Sequence, residues 1–186
     1  MQQVTYANGK LWGALDTAVS VGGATKAGVA WYIVKPDTSS GSLVAKVARE
    51  GILGLAGNNL TYPAIGVTPS GRGVMAFTVV GNDYYASAGY AAIDAVVGVG
   101  DIHIAASGVG PSDGFTSYKA FVGNPPRTRW GDYGAAVAVG NSVWIASEYI
   151  AQTCTFAQYT SAPFGSCGAT RTSLGNWSTR ISRVTP

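Results

Sequence analysis

The chain has 186 residues, 47% hydrophobic and only 11% charged, with 26 glycines, two cysteines, one histidine and a net charge of +3. Charge is less than half of the ~25% usual in soluble proteins, and Glu occurs only at Glu50 and Glu148, which excludes coiled coils and long amphipathic helices, while abundant Val, Ile, Ala and Tyr exclude disorder. The arginines are scattered without a basic run, and no apolar stretch reaches the ~18 residues of a spanning helix, so neither nucleic acid nor a membrane span is expected.

From the start, MQQVTYANGK has no positive region followed by an apolar one, so any export signal is expected to be already removed. Short β-rich runs then follow one another, bounded by Gly, Asn, Asp, Ser and Pro. They are QVTYA (3–7), KLWGALDTAV (10–19), GVAWYIV (28–34), SLVAKVA (42–48), YPAIGV (62–67) and GVMAFTVV (73–80). Next come DIHIAAS (101–107), SYKAFVG (117–123), DYGAAVAV (132–139), SVWIASEYI (142–150) and TRISRV (179–184). No segment keeps helical spacing for three turns without a glycine, so the fold class is all-β.

The runs repeat. QVTYA-NG-KLWGAL, YPAIGV-TPSGR-GVMAF and DYGAAVAV-GN-SVWIAS each read as a strand of small residues, a tight turn and an apolar strand. Trp12, Met75 and Trp144 fall at the equivalent place in the second strand. GVAWYIV, DIHIAAS and TRISRV would be third strands; SLVAKVA and SYKAFVG would be fourth strands, and the third unit lacks one. Repeated units of four antiparallel strands are β-propeller blades, here spanning roughly 1–60, 61–126 and 127–186; a β-sandwich of about eleven strands is the alternative. Rings use about four to eight blades, so completion by a second copy or by another chain is expected.

Cys154 and Cys167 enclose the uncharged loop TFAQYTSAPFGS. Two thiols cannot make a tetrahedral zinc site, and His103 is far away in sequence, so the pair reads as a disulfide, with two buried free thiols as the alternative. A disulfide in a weakly charged, Ser/Thr/Gly-rich chain points to a secreted, extracellular protein. Asn59-Leu-Thr61 and Asn176-Trp-Ser178 are compatible with glycosylation.

At 127–150 the chain reads RTRWGDYGAAVAVGNSVWIASEYI, and near its end NWSTRISRV. This resembles the terminal blade of secreted bacterial propeller proteins related to the sialidase superfamily, in which an R-W-G-D-Y segment leads to a strand ending in E-Y and then to a W-x-T-x-I strand. Arg129, Trp130, Gly131, Asp132, Tyr133, Glu148, Tyr149, Trp177, Thr179 and Ile181 carry the match, which covers about a third of the chain. GPSDGFTSY (110–118) resembles a degenerate Asp-box of such propellers.

The resemblance implies a test for sialidase chemistry: three arginines for a substrate carboxylate, a Tyr nucleophile activated by Glu, and an Asp acid/base. Arg127, Arg129, Arg171, Arg180 and Arg183 cluster late in the chain, with Glu148, Tyr149, Tyr133 and Asp132 as catalytic candidates. Alternation sends Arg180 and Arg183 to opposite faces, which counts against one carboxylate clamp. For RWGDY a structural reading places Trp130 between blades, a bend at Gly131 and Asp132 on backbone N–H groups. The functional reading opens Arg129, Asp132 and Tyr133 onto a ligand or Ca²⁺; no other cofactor is expected. GPSDG matches a nucleophile elbow but lacks the following helix, and Asp101 and His103 share a surface face. Trp12, Trp31 and Trp144 read as core or blade interface, whereas Tyr84, Tyr85, Tyr90 and Tyr159 read as loop contacts.

The expected activity is that of a binding or scaffold module for extracellular carbohydrate or protein, with Arg127, Arg129, Trp130, Asp132, Tyr133 and Glu148 at the ligand. A sialidase-type glycoside hydrolase and a purely structural, self-assembling extracellular protein are the alternatives.

Overall fold

The computed structural model describes residues 3–116 and 130–186. Those residues form three antiparallel sheets. In the first, β1 (Val4–Ala7), β2 (Lys10–Val21), β3 (Ala24–Asp37) and β4 (Val44–Leu53) lie side by side in chain order. The second is built from β5 (Asn58–Val67), β6 (Arg72–Gly81) and β7 (Ser87–Asp94), with β8 (Gly98–Val99) and β9 (His103–Ala106) both pairing with β7. The third is β10 (Ala135–Val139), β11 (Ser142–Ile150) and β12 (Trp177–Val184). This all-β succession of up-and-down sheets is the arrangement of consecutive propeller blades.

These residues make strands because β-branched and aromatic side chains form apolar runs buried on both faces. In β2, Trp12 and Ala14 are buried against the second sheet. Their β3 partners Ile33 and Trp31 are buried with them. The second sheet answers with Ile65, Met75, Phe77, Val79, Ala91 and Ile93. Its other face places Ala64, Val74 and Ala76 on Ala136, Val143 and Ile145 of the third sheet. The second sheet therefore packs like the middle slice of a stack, with its back on the first sheet and its front on the third.

Small residues let the first strands converge. A Cβ added to Gly66 of β5 would lie 2.6 Å from a Val143 methyl and 3.1 Å from the Val137 nitrogen in the third sheet. Thr5 of β1 donates to the Ile65 oxygen at 2.6 Å, and Gln3 Nε2 donates to the Ala136 oxygen at 2.6 Å. The N-terminal segment thus ties the first sheet to both of the others.

Three expectations need correction. DIHIAAS supplies β9, an outer strand, because SAGYAAID forms the third strand β7. Its small residues carry weak strand propensity, but they fit against Phe77 and Val79: a Cβ on Gly89 would meet both within 2.9 Å. Met75 is not the counterpart of Trp12 and Trp144. The longer TPSGR turn makes Thr68 donate to the Arg72 oxygen at 2.9 Å, so the residue two beyond the turn is Val74. One position of slip reverses every side chain, and Met75 faces back to the first sheet. Trp144 is 42% exposed, not covered by a neighbouring sheet. The strand expected at 117–123 lies outside the described residues.

A five-residue helix, α1 (Phe156–Thr160), sits within the cysteine loop, capped by a reciprocal Thr155–Gln158 pair. No helix among the described residues is long and apolar enough to cross a membrane.

Candidate functional site

The segment before β10 is shaped by a residue in another sheet. At Tyr62 the β5–β6 register shifts, and Tyr62 takes the left-handed conformation with φ +57°. That irregularity turns its ring out of the sheet toward the third unit. The Tyr62 hydroxyl donates to the Trp130 oxygen at 2.7 Å, and its backbone N–H donates to Asp16 Oδ1 of the first sheet at 2.9 Å. Gly131 has φ +61°, and a Cβ there would lie 2.7 Å from the Tyr62 ring. Glycine is therefore required twice over, by conformation and by contact.

Held this way, the segment borders a cavity of about 850 Å³ at the end of the third sheet. Trp130, Asp132 and Tyr133 approach from the segment, Glu148 from the end of β11, and Trp177 and Thr179 from the start of β12. Phe115 and Thr116 form another wall. Tyr133 is 76% exposed and Trp177 is 47% exposed, so each offers a ring to a ligand. The Trp130 indole N–H and the Ser147 hydroxyl are buried without a hydrogen-bond partner among the described residues.

Glu148 is half-buried beside Asp132. Burial pushes its carboxyl above the usual glutamate range; the Gly131 N–H opposes this, and the neighbouring Asp132 charge adds to it. A carboxyl in this setting can hold its proton at a pH where an exposed glutamate has lost it. Asp16 is raised too, mainly by burial, against the lowering effect of the Tyr62 N–H.

The Phe115 wall is fixed by the cysteine loop. Cys154 and Cys167 form a disulfide. Arg171, beside both sulfurs, donates from Nη2 to Asp113 Oδ2 at 3.0 Å and to Thr116 Oγ1 at 2.8 Å. Asp113 Oδ1 in turn accepts the Phe115 and Thr116 N–H groups at 3.2 and 3.0 Å. Arg171 and Asp113 are both buried at the side chain, and the guanidinium lies over Tyr159 at 5.1 Å.

The structure thus brings Trp130, Asp132, Tyr133 and Glu148 to one cavity, and leaves other candidates elsewhere. Tyr149 follows Glu148 in β11 and so points to the other face; it does not line the cavity. Arg171 is engaged by Asp113, whose carboxylate supplies the charge that a substrate would otherwise offer. Arg180 and Arg183 flank the edge strand β12 on opposite faces, and Arg127 and Arg129 lie outside the described residues. Tyr159, expected to be exposed, is buried against Phe115 and Phe164, because the disulfide loop folds over it. Tyr84 packs on the core, and Tyr90 stacks on the exposed His103, whose strand neighbours Ile102 and Ile104 point inward.

Sequence reasoning missed Tyr62 and Thr116. Tyr62 had one signal, the Tyr-Pro step inside an apolar strand, since proline inside a strand marks a bulge or edge. Among the described residues no three His, Cys, Asp or Glu side chains cluster as a metal site would require.

No family model and no curated protein matches the chain. Among solved structures it is similar to the GH43 endo-arabinanase from Bacillus licheniformis, with a TM-score of 0.38 and 11% identity. That alignment covers 98% of this chain and 50% of the other, so the chain spans about half the length of that enzyme.

Proposed function

We propose that the protein is a secreted module that binds neutral carbohydrate in the cavity beside Glu148. The observation that carries this reading is the makeup of the lining: aromatic rings from Trp130, Tyr133 and Trp177 beside the carboxylates of Asp132 and Glu148. Aromatic faces stack on the apolar faces of sugar rings, and carboxylates accept hydrogen bonds from sugar hydroxyls. The volume suits a few sugar residues. The described lining carries the carboxyl groups of Asp132 and Glu148, which would repel an acidic sugar. That favours neutral glycans over sialosides. The disulfide supports an oxidising, extracellular setting.

A glycan array carrying neutral and sialylated ligands tests the reading. Binding to neutral glycans, weakened about tenfold by Trp177→Ala or Tyr133→Ala, is expected; preference for sialylated ligands, or no glycan bound, would reject it.

The two carboxyl groups of Glu148 and Asp132, side by side in the cavity lining, favour a second reading as a glycoside hydrolase, since glycoside cleavage uses a pair of carboxyl groups flanking the scissile bond. Turnover of a chromogenic neutral glycoside that disappears in Glu148→Gln supports hydrolysis, and absence of turnover with binding intact supports the module.

A further inference from the structure

We infer that the front of the third sheet, centred on Trp144, is a docking face for the back of the first sheet of a second copy of this chain. The argument begins with a repeat that becomes visible only in register. Trp12-Gly-Ala14-Leu-Asp16 in β2 and Trp144-Ile-Ala146-Ser-Glu148 in β11 occupy the same places, each Trp two residues beyond the hairpin pair (Ala7 with Lys10, Val139 with Ser142). In the first sheet this series is covered. Trp12 and Ala14 are buried under the second sheet, and Asp16 accepts the Tyr62 N–H of that sheet. In the second sheet the same positions, Val74 and Ala76, are covered by the third. In the third sheet no further sheet covers the series, and Trp144 is 42% exposed.

This face is apolar well beyond Trp144. Val137 pairs with Trp144 across the ladder and Ile181 with Ala146, so all share one side; Val137 is 58% and Ile181 62% exposed. At the other end of the stack, the back of the first sheet is also uncovered. Val4 and Tyr6 pair with Gly13 and Leu11, and across β3 the same side continues through Tyr32 and Val34 to Glu50 and Val47. Tyr6 is 67% exposed. Paired apolar faces of this extent mark contacts with another surface.

What identifies the occupant is continuity with the stacking already made twice inside the chain. Each front accepts a back, and the two uncovered surfaces are one front and one back. Beside Trp144 the front carries Arg183, its ladder partner, and the back carries Glu50, the ladder partner of Tyr32, so one ion pair can form there, while Glu148 lies further along the front toward the cavity. Two copies related by a two-fold axis can satisfy both surfaces at once, giving six sheets from two sets of three, within the size range of closed propellers. This face runs into the cavity, whose lining includes Ala146, Glu148 and Thr179 of the same side; Trp144, Val137 and Ile181 lie outside that lining, so substitutions there test docking apart from the glycan reading.

The test is the mass in solution of the wild-type chain and of two charge variants, by sedimentation equilibrium. The wild type is expected at twice the chain mass. Trp144→Glu spoils only the front and Tyr6→Glu only the back, so each alone is expected at the chain mass. Mixed in equal amounts they should re-form a pair, because one copy keeps an intact back and the other an intact front. Unchanged far-UV circular dichroism establishes that each variant is folded; if either is not, Val137→Lys and Val4→Lys replace them. A wild type that stays monomeric at high micromolar concentration, or a dimer that survives either substitution, would overturn the inference. So would failure of the two folded variants to pair on mixing.

Discussion

Tyr62 donates its phenolic hydrogen to the main-chain oxygen of Trp130 at 2.7 Å, while its own N–H is held by Asp16 at 2.9 Å. One residue of the second sheet therefore joins the first sheet to the segment that carries the cavity wall. The arrangement has a cost, since a non-glycine residue in the left-handed region is strained by about 1–3 kcal/mol. Strain of that size persists only where contacts on both sides over-determine it, as they do here.

Removal of the hydroxyl tests the link. Tyr62→Phe keeps the ring over Gly131 but leaves the Trp130 oxygen without that donor. A loss of about 1 kcal/mol in urea unfolding is expected, with a larger relative loss of ligand affinity because Trp130 and Asp132 lose their anchor.

Gly131→Ala attacks the same contact from the other side. The added methyl meets the Tyr62 ring, and φ +61° disfavours any side chain, so a destabilisation of about 1–2 kcal/mol is expected. Heteronuclear NMR should show shifts concentrated at 130–134 and at Tyr62, with the β2–β3 ladder unchanged.

Glu148 gives the protein a pH signature. Its folded-state carboxyl titrates above the ordinary glutamate value, chiefly through burial, so its proton contributes stability that is complete below the unfolded value. That contribution is lost as pH rises through the raised folded value. Glu148→Gln, which retains an acceptor for the Gly131 N–H, should therefore melt above the wild type at neutral pH. The difference should vanish once pH falls below the ordinary glutamate range. Thermal melts across the acidic range check the sign.

The Asp113–Arg171 pair makes the cavity wall depend on the disulfide loop. Asp113→Asn leaves a buried guanidinium without its counter-ion, and a loss of about 3–5 kcal/mol is expected by calorimetry. Replacing both cysteines by serine removes a loop closure with a sequence separation of 13 residues, worth about 3 kcal/mol in the chain-entropy model. Because Arg171 lies against both sulfurs, the combined loss should be smaller than the sum.

The amino-acid sequence by itself determined much of this. The near-continuous apolar runs in KLWGALDTAV and GVAWYIV marked β2 and β3 as strands and Trp12 and Trp31 as core or interface residues, because such runs can be solvated on neither face. Two cysteines enclosing a short loop specified their own pairing. The grouping of Trp130, Asp132, Tyr133 and Glu148 was also legible, since a hairpin returns the end of β11 beside the start of β10. Tertiary structure alone decided the rest. The longer turn after Val67 shifted the pleat and sent Met75 to the first sheet, a difference too small for pattern matching to register. The partner of Arg171 lies 58 residues away, and that of Tyr62 lies 68 residues away, separations at which local propensity says nothing. Small residues that read as weak strand formers became β7 because Phe77 and Val79 needed something thin beside them. Apolar runs encode that a segment is a strand; only the packed stack decides what each of its faces meets, and at Trp144 it leaves an apolar surface uncovered.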